Sequence, residues 1–299
     1  MSLLKYLDFG PVMTAEPPIV CRGADLFVFA VEAKIDALGQ LCKRVFNDPS
    51  NGEVRCAPLG PWVVIIAGSI AHVSGGNAER PGVREKNVLV HVPVLVETNN
   101  AGIFPALFSP FVWVDNPNSM TGGREVFGYA KTYGLLDIDP GDHTANPGSF
   151  ELTTFGGNKT DDLWDWHKKF IRIHRKGKIP NALFGIMDLV GGVGAVGDLL
   201  DSWANTGVKE IFYKQFRDVK DHKTGVPAKA CFSQITTAEY VLFGAEAVEP
   251  LDHLYELQIG ELDSHPIKKE LGLDPSNTSA GYRMKTNFRV EHGSVLWSG

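Results

Sequence analysis

Short apolar runs, separated by turn residues, dominate the first half of the chain. The runs are rich in valine, isoleucine and aromatic residues and lie at residues 26–34, 62–67, 88–96 and 104–114. Runs of this length and composition predict β-strands. Pro105 and Pro110 each lack a backbone N–H, so the last run is predicted to lie near a sheet edge or a bend.

Helical spacing of apolar positions predicts fewer elements. Residues 36–46 have this spacing and are followed by the turn sequence 47–52. Residues 161–175 begin with acidic side chains and end with basic ones, the order that suits a helix dipole, so they are predicted to be helical. A glycine-led helix is predicted at 191–203, and a short helix end at 268–272.

Strand-like patterns return after residue 208 and complete a mixed picture. The later predicted strands are residues 211–217, 230–237 and 254–260. The segment from Asp274 onward is polar and is predicted to be peripheral. The pattern therefore predicts an α+β fold, a single β-rich domain over residues 1–299 with a mostly helical insertion at about 158–207.

Composition and charge exclude several classes of protein. The 299 residues carry 29 basic and 35 acidic side chains without a basic run, which disfavours binding to nucleic acid. No apolar run has the length of a membrane span, and residues 1–13 do not resemble a secretory leader. The four cysteines, Cys21, Cys42, Cys56 and Cys231, are scattered. We therefore expect a cytoplasmic protein with reduced thiols and no membrane partner.

The sequence gives only weak signals for a nucleotide-binding site and for a metal site. Residues 192–197 match the dinucleotide-binding pattern G-x-G-x-x-G, but no series of strand–helix–strand units accompanies them. A nucleotide-dependent oxidoreductase is therefore kept only as an alternative hypothesis. The nine histidines include no H-E-x-x-H pair, and His167 and His174 are seven residues apart. We expect no metal and no cofactor.

Lys131 is the side chain with the clearest chemical potential. It lies in the uncharged stretch 126–136, among the aromatic residues Phe127, Tyr129 and Tyr133. Burial in such surroundings favours the neutral amine, which can attack a ketone and form an imine. The alternative is an ordinary strand lysine that extends its ammonium group into solvent.

The segment around this lysine resembles the signature of the acetoacetate decarboxylase family. The shared pattern is Gly-Arg-Glu at 123–125, an aromatic residue, Gly128, Tyr129, one further residue and Lys131. Residues 27–38, 88–94, 211–220 and 226–235 resemble other strands and the first helix of the family. The resemblance implies a cone-like antiparallel β-barrel with flanking helices, a homo-oligomer, and Lys131 as the Schiff-base lysine.

The chain also departs from the family pattern. Thr132 stands where the family decarboxylases have a second lysine, and Asn87 stands where they have a pocket glutamate. A second family glutamate falls near Ile66, and the family's pocket arginine has only a nearby candidate, Arg22. The imine-forming lysine is therefore retained, while the usual decarboxylase surroundings differ.

These features predict a lyase that acts on a small-molecule keto acid through Lys131. Aldol condensation with dehydration, or decarboxylation of a larger keto acid, is favoured over plain acetoacetate decarboxylation. Acetoacetate decarboxylation and a non-catalytic ligand-binding barrel remain alternatives. The candidate acid–base residues are Tyr129 and Glu125, and the candidate substrate-binding residues are Arg22, Asn87 and Arg124.

Overall fold

The structure is a computed structural model of the chain. It describes residues 16–76, 82–139, 147–179, 207–218, 230–244, 247–273 and 278–299. The described part is mostly β-structure with short helices, which confirms the predicted predominance of strands.

The strands and helices are numbered in chain order. The strands are β1 (Ile19–Glu32), β2 (Val54–Pro58), β3 (Trp62–Ser74), β4 (Val83–Thr98), β5 (Gly102–Val114), β6 (Lys131–Asp139), β7 (Ser149–Gly156), β8 (Asp165–Lys178), β9 (Val208–Arg217), β10 (Ala230–Leu242), β11 (Ala247–Pro250), β12 (His253–Ile259), β13 (Thr278–Ser279), β14 (Gly281–Val290) and β15 (Ser294–Ser298). The helices are α1 (Ile35–Cys42), α2 (Pro117–Gly122) and α3 (Ile267–Leu271).

Strand β5 occupies the branch point of the sheet. From β5 the pairings run through β9, β10, β14, β1, β3 and β4, and β4 pairs with β5 again. On its other side β5 pairs with β6, which continues to β7, β8, β12 and β13. The pairings of β5 with β6 and with β9 are parallel, so the prediction of a wholly antiparallel sheet is wrong there. The cone-like barrel shape stays a prediction.

Pro110 of β5 lies at a bend in the sheet, whereas Pro105 lies in a regular part of the ladder, opposite Leu95. Opposite β4, Val90 pairs with Phe111 and Val92 pairs with Phe108, so Ser109 and Pro110 form an irregularity in the ladder. Strand β9 pairs with β5 before this point and β6 pairs with it afterwards. The missing N–H of Pro110 thus falls where the neighbouring strand changes, which is where it costs least.

The first predicted helix is confirmed. Helix α1 buries Leu38, Leu41 and Cys42 and continues into a π-helical turn, Lys43–Asn47. The predicted turn follows it, and the Ser50 hydroxyl stabilises that turn by donating to the Phe46 carbonyl at 2.7 Å. The helix packs its apolar face against the sheet.

The predicted helix at 161–175 is wrong, because most of this segment is strand β8. Ile171 and Ile173 are buried while the residues between and after them are half-buried, which is the period of two expected of a strand. Strand β8 pairs with β7 on one side and β12 on the other. The basic residues fit this arrangement because Arg172 and Lys169 pair with Glu151 on β7. Pairing on both edges outweighed the charge order that had favoured a helix.

The helical insertion is therefore not helical where the structure describes its first part. Residues 165–178 form β8, and residues 180–206 lie outside the described residues. The predicted helix at 191–203 and the glycine motif at 192–197 fall in that range. Within the part of the chain that is described, no helix has the length and hydrophobicity needed to cross a membrane.

The C-terminal segment is also different from its prediction as a peripheral element. Strand β14 lies between β1 and β10 and buries Met284, Thr286, Phe288 and Val290 at alternate positions. The polar residues at the start of the segment had led to the prediction of a peripheral element, although the alternation of a buried strand follows them. The prediction of a short helix end at 268–272 is confirmed by α3.

Strand β1 separates two apolar cores. Phe27, Phe29 and Val31 point into a core that α1 and strands β7, β8 and β12 complete. Leu26 and Val28 point the other way, into a second core. Because successive side chains of a strand point to opposite faces, one buried strand serves both cores. The candidate site is a cavity in the second core.

Candidate active site

A cavity of about 120 Å³ opens in the second core. Its walls are mostly aliphatic and aromatic side chains contributed by β1, β3, β4, β5 and β14. A small set of polar side chains interrupts these walls; it includes Glu85, Asn87, His91, Ser119, Tyr129, Lys131 and Glu210. An apolar cavity with a few convergent polar groups is the usual form of a small-molecule site.

The Gly-Arg-Glu segment forms a helical connection that delivers Lys131 to this cavity. Asn116 caps α2 by accepting hydrogen bonds from the N–H groups of Asn118 and Ser119. A π-helical turn, Gly123–Phe127, continues the helix, and Gly128 ends it with a φ of 100°. That conformation favours glycine, and it lets the chain reverse into β6, whose first residue is Lys131.

Gly123 makes room for the lysine side chain. A Cβ atom at position 123 would lie 2.6 Å from Cδ and 2.9 Å from Cε of Lys131, closer than van der Waals contact allows. The next residue, Arg124, donates from Nη1 to the Lys131 carbonyl oxygen at 3.0 Å. The two residues before the motif's glutamate therefore position the lysine, one by its missing side chain and the other by a hydrogen bond.

The lysine amine lies in a buried polar cluster. Nζ of Lys131 donates to Ser119 Oγ at 2.9 Å and lies 3.9 Å from Glu85 Oε2, and 13% of the side chain is exposed. Ser119 in turn donates to Glu85 Oε2. The face of the Tyr129 ring covers another side of the amine, with its centroid 5.2 Å from Nζ. The lysine therefore points inward, and the alternative of an outward strand lysine is wrong.

Glu85 supplies a cavity carboxylate that the sequence comparison had missed. The resemblance aligned the family's pocket glutamate with Asn87, but Glu85 lies two residues earlier on the same face of β4. Asn87 Nδ2 donates to Glu85 Oε1 at 2.8 Å, whereas Asn87 Oδ1 is buried and has no hydrogen-bond partner among the described residues. An acceptor in the cavity wall is thus free for a ligand.

A second glutamate, Glu210, lies in the cavity wall on β9. The Tyr129 hydroxyl donates to its Oε2 at 2.7 Å, and Ser109 hydrogen-bonds its Oε1. Ser109 Oγ is also 2.7 Å from Nδ1 of His91. All four side chains of this group are buried.

Burial controls the protonation of this second group. It raises the pKa of Glu210 to about 8, against the opposing effects of the Ser109 hydrogen bond and the Lys131 charge. Burial also lowers the pKa of His91 to about 3. At neutral pH the group therefore contains a protonated carboxylic acid and a neutral imidazole.

The alternation of side chains in β9 is a weak sequence signal that Glu210 is buried. Val208, Glu210 and Phe212 occupy alternate positions of β9 and face the second core. A single acidic residue on an otherwise apolar strand face is rare, because a buried carboxyl group needs compensation.

The six predicted site residues separate into two groups. Lys131, Tyr129 and Asn87 line the cavity. Arg22 and Arg124 are exposed and do not line it, and Glu125 lies outside it, half-buried. Arg22 is therefore not placed where a substrate in the cavity could be held.

Glu125 faces a different lysine. Burial lowers the pKa of Lys214, and the Glu125 carboxylate opposes that shift. The Lys214 ammonium also donates to the Val126 carbonyl at 3.3 Å, which ties the motif to β9. The position of Glu125 thus suits a structural contact outside the cavity.

The wall of the cavity carries both basic and acidic side chains. Lys131 is the only lysine or arginine among the described residues that line it. Across the described ranges, no group of three or more His, Cys, Asp or Glu side chains could hold a metal ion. The ionisable side chains of this cavity include the Lys131 amine, the His91 imidazole and the carboxyl groups of Glu85 and Glu210.

Comparisons with known proteins give the fold its name. No protein-family model and no curated protein matches the sequence. Among solved structures, acetoacetate decarboxylase from Legionella pneumophila subsp. pneumophila str. Philadelphia 1 is similar with a TM-score of 0.62 at 13% identity, over 100% of this chain and 93% of that one.

Two further structures give the same result. The enduracididine biosynthesis enzyme MppR complexed with pyruvate has a TM-score of 0.54 at 12% identity, over 95% of this chain and 92% of that one. An acetoacetate decarboxylase-like enzyme from Sphingomonas wittichii RW1 has the same TM-score and identity, with 95% of each chain covered. The chain therefore has the fold of the acetoacetate decarboxylase-like proteins.

Proposed function

We propose that the protein is a Schiff-base-forming decarboxylase of a small β-keto acid, with Lys131 as the nucleophile. The observation that carries the proposal is the position of the lysine amine, inside an apolar cavity and beside Ser119 and Glu85. The fold shared with acetoacetate decarboxylase supports the same chemistry.

The cluster around the amine provides a route for activating it. The lysine must lose a proton before it attacks a ketone. Ser119 accepts a hydrogen bond from Lys131 and donates one to Glu85, so a proton can pass from the amine to the carboxylate. Transfer replaces a buried ion pair by two neutral groups, which is favoured when a substrate excludes water from the cavity. Activation by a carboxylate would compensate for Thr132, which stands where the family decarboxylases have a second lysine.

The neutral amine then forms the imine. It attacks the ketone carbon, and the protonated Glu85 is placed to return its proton to the departing hydroxyl group, which leaves as water. The product is an iminium ion that carries the substrate's carboxylate.

The apolar walls favour loss of carbon dioxide from this intermediate. The iminium and the carboxylate carry opposite charges, and the cavity offers no second cation among its described lining residues. The bond to the carboxylate breaks, its electron pair moves to the iminium nitrogen, and both charges disappear. A reaction that removes charge is accelerated in apolar surroundings.

The cavity volume supports a small substrate. An apolar cavity of about 150 Å³ accommodates benzene, which has six heavy atoms. The present cavity, at about 120 Å³, suits a molecule of similar size such as acetoacetate, with seven. This favours a smaller keto acid than the sequence reasoning had favoured.

Retention of the carboxylate is the competing reaction. The structure of MppR with the condensation product of pyruvate and imidazole 4-carboxaldehyde has a TM-score of 0.51 to this chain. An enzyme that keeps a carboxylate bound through the reaction is expected to pair it with an arginine fork. Neither Arg22 nor Arg124 lines the cavity, so decarboxylation is the better match to the described site.

Borohydride trapping tests the proposal. The protein is reduced in the presence of acetoacetate or pyruvate, and the adduct is located by intact mass and peptide mapping. We expect a stable adduct on Lys131 with acetoacetate, its loss in Lys131→Ala, and its retention in Lys285→Ala, where an exposed lysine of β14 is removed.

The products then distinguish the possible reactions. Release of carbon dioxide from acetoacetate supports decarboxylation. An adduct with pyruvate that yields an unsaturated keto acid with added aldehyde would assign the condensation reaction instead. Absence of an adduct with both compounds, and with larger keto acids, would make the chain a ligand-binding protein and overturn the proposal.

A further inference from the structure

Decarboxylation leaves an enamine whose carbon must gain a proton, and the group around Lys131 does not supply it. In the scheme above Glu85 has returned its proton to the departing water. The enamine carbon therefore needs a second acid in the cavity wall. This inference rests on the proposed function and concerns the step that follows loss of carbon dioxide.

Glu210 is a second acid in the wall of this cavity. It lines the same cavity as Lys131 but lies on β9, where its carboxyl oxygens contact Tyr129 and Ser109. The Tyr129 hydroxyl donates a hydrogen bond to Glu210 Oε2 at 2.7 Å. Each carboxyl oxygen has room for two hydrogen bonds, so the acid can hold a proton while it accepts these two.

Ser109 connects this acid to a second cavity. That cavity, of about 320 Å³, is lined by residues of α1, β5 and β9, and Ser109 is one of them. Arg44 also lines it, with 59% of its side chain exposed, so the second cavity communicates with solvent. Ser109 thus lines the second cavity and hydrogen-bonds a carboxyl group of the first one.

We propose that Glu210 protonates the enamine carbon and that Ser109 replaces the lost proton from the second cavity. The enamine double bond supplies the electron pair for the new C–H bond, and Glu210 becomes a carboxylate. The Ser109 hydroxyl passes its proton to Glu210 Oε1 and takes one from solvent, and His91 holds the hydroxyl in place. Overall, one solvent proton enters the ketone for each carbon dioxide released.

The environment of Glu210 suits this role. Among the described residues, the titratable groups that face it are Tyr129, His91 and Lys131, and its neighbour on β10, Ala238, is uncharged. Burial raises the pKa of Glu210 to about 8, which keeps the acid protonated at neutral pH. An acid whose pKa lies near the working pH is the most effective proton donor.

The test uses Glu210→Gln, which keeps the size of the side chain and can keep both hydrogen bonds. Two readouts are taken with acetone as the probe: borohydride trapping, which reports the imine, and exchange of its methyl hydrogens in D₂O by NMR, which reports proton transfer at carbon. We expect trapping within about twofold of wild type and a loss of exchange of roughly 100-fold or more. Glu97→Gln, an exposed glutamate on β4, is the matched control.

The pH dependence gives a second readout. With acetoacetate as substrate, wild-type turnover should fall as the pH rises above about 8, because the acid form of Glu210 is lost. This alkaline decline should be absent from the residual activity of Glu210→Gln. Ser109→Ala, which leaves the carboxyl group in place, should slow exchange without reducing trapping.

The outcomes separate the two proposals. Loss of trapping in wild type itself would overturn the proposed function. Trapping with unchanged exchange in both Glu210→Gln and Ser109→Ala would leave that function intact and overturn the role of Glu210. If folded Glu210→Gln loses both trapping and exchange, Glu210 acts in imine formation. That result would also overturn its proposed role as the acid that protonates carbon.

Discussion

Two glutamate–serine pairs contribute their carboxyl groups to the same cavity, and their neighbours give them different chemistry. Glu85 and Ser119 contact the Lys131 amine, so this carboxyl group faces a cation. Glu210 and Ser109 contact the Tyr129 phenol and the His91 imidazole, which is neutral because burial lowers its pKa to about 3.

The comparison explains why we propose two different roles for the same pair of residue types. A carboxylate beside an ammonium group can accept its proton, whereas a carboxyl group buried among neutral partners keeps its own. The first pair therefore suits the formation of the imine and the second suits protonation at carbon. The variants of Glu210, Glu85, Ser119 and Ser109 that follow each change one pair, and Gly123→Ala tests the position of Lys131.

The largest expected effect is on the pH dependence of stability. The pKa of Glu210 is raised from 4.5 to about 8 by burial, so the folded state binds a proton that the unfolded state has lost in this range. Stability from this group is complete below pH 4.5 and is lost as the pH rises towards 8, by up to about 5 kcal/mol.

Chemical unfolding of wild type and Glu210→Gln across this range measures the effect. His91 acts in the opposite direction, because its folded pKa is lowered and its stabilisation is lost as the pH falls below 6.5. That contribution is common to both proteins and cancels in their difference. A difference that does not change between pH 6.5 and 8 would show that Glu210 is ionised in the folded state.

Glu85→Gln should slow formation of the imine. The amide cannot accept a proton from Lys131 through Ser119, so the rate of borohydride-trapped adduct formation should fall roughly 100- to 1,000-fold. An unchanged trapping rate would remove Glu85 as the base.

Gly123→Ala tests the positioning of Lys131 without changing a polar group. The φ of Gly123 is −62°, which alanine adopts readily, but the added Cβ would lie 2.6 Å from Lys131 Cδ. The flexible lysine must move, and a displacement of about 1 Å at a reacting group reduces the rate about 100-fold.

The matched control is Gly39→Ala in α1, where the added Cβ meets no atom within 4 Å. We expect Gly39→Ala to keep full activity and to raise the free energy of unfolding by roughly 0.5–1 kcal/mol. If Gly123→Ala keeps wild-type turnover, the close approach of Gly123 is not what positions the amine.

The smallest effects are expected from the two serines. Ser119→Ala should slow imine formation about tenfold, and Ser109→Ala should slow deuterium exchange by a similar factor, each leaving the other step nearly unchanged. Both factors are below the roughly 100-fold or greater effect of a direct general acid or base, because each serine only relays a proton. Rapid-quench trapping and NMR exchange separate the two steps. Equal effects of both variants on both steps would mean that the two pairs act as one network.

Local pattern was sufficient for part of this fold. The strands around 62–67, 88–96 and 104–114 and the first helix were predicted because their apolar spacing agrees with their burial. It was insufficient for β8, whose charges resemble those of a helix, and for β14, whose alternation follows a polar segment. Pairing with distant strands decided both elements, and pairing partners are not visible in a single stretch of sequence.

The sequence by itself was enough to select Lys131 and the motif that carries it. Gly123, Arg124 and Lys131 act through contacts only a few residues apart, so their spacing is meaningful without the fold. Only the tertiary structure decided which acids face the amine. Glu85 and Glu210 enter the cavity from strands that are distant in sequence, while Arg22 and Glu125, equally plausible in the sequence, lie outside it. The physical reason is that β-strands place alternate side chains on opposite faces, so strand register decides which residues share a cavity.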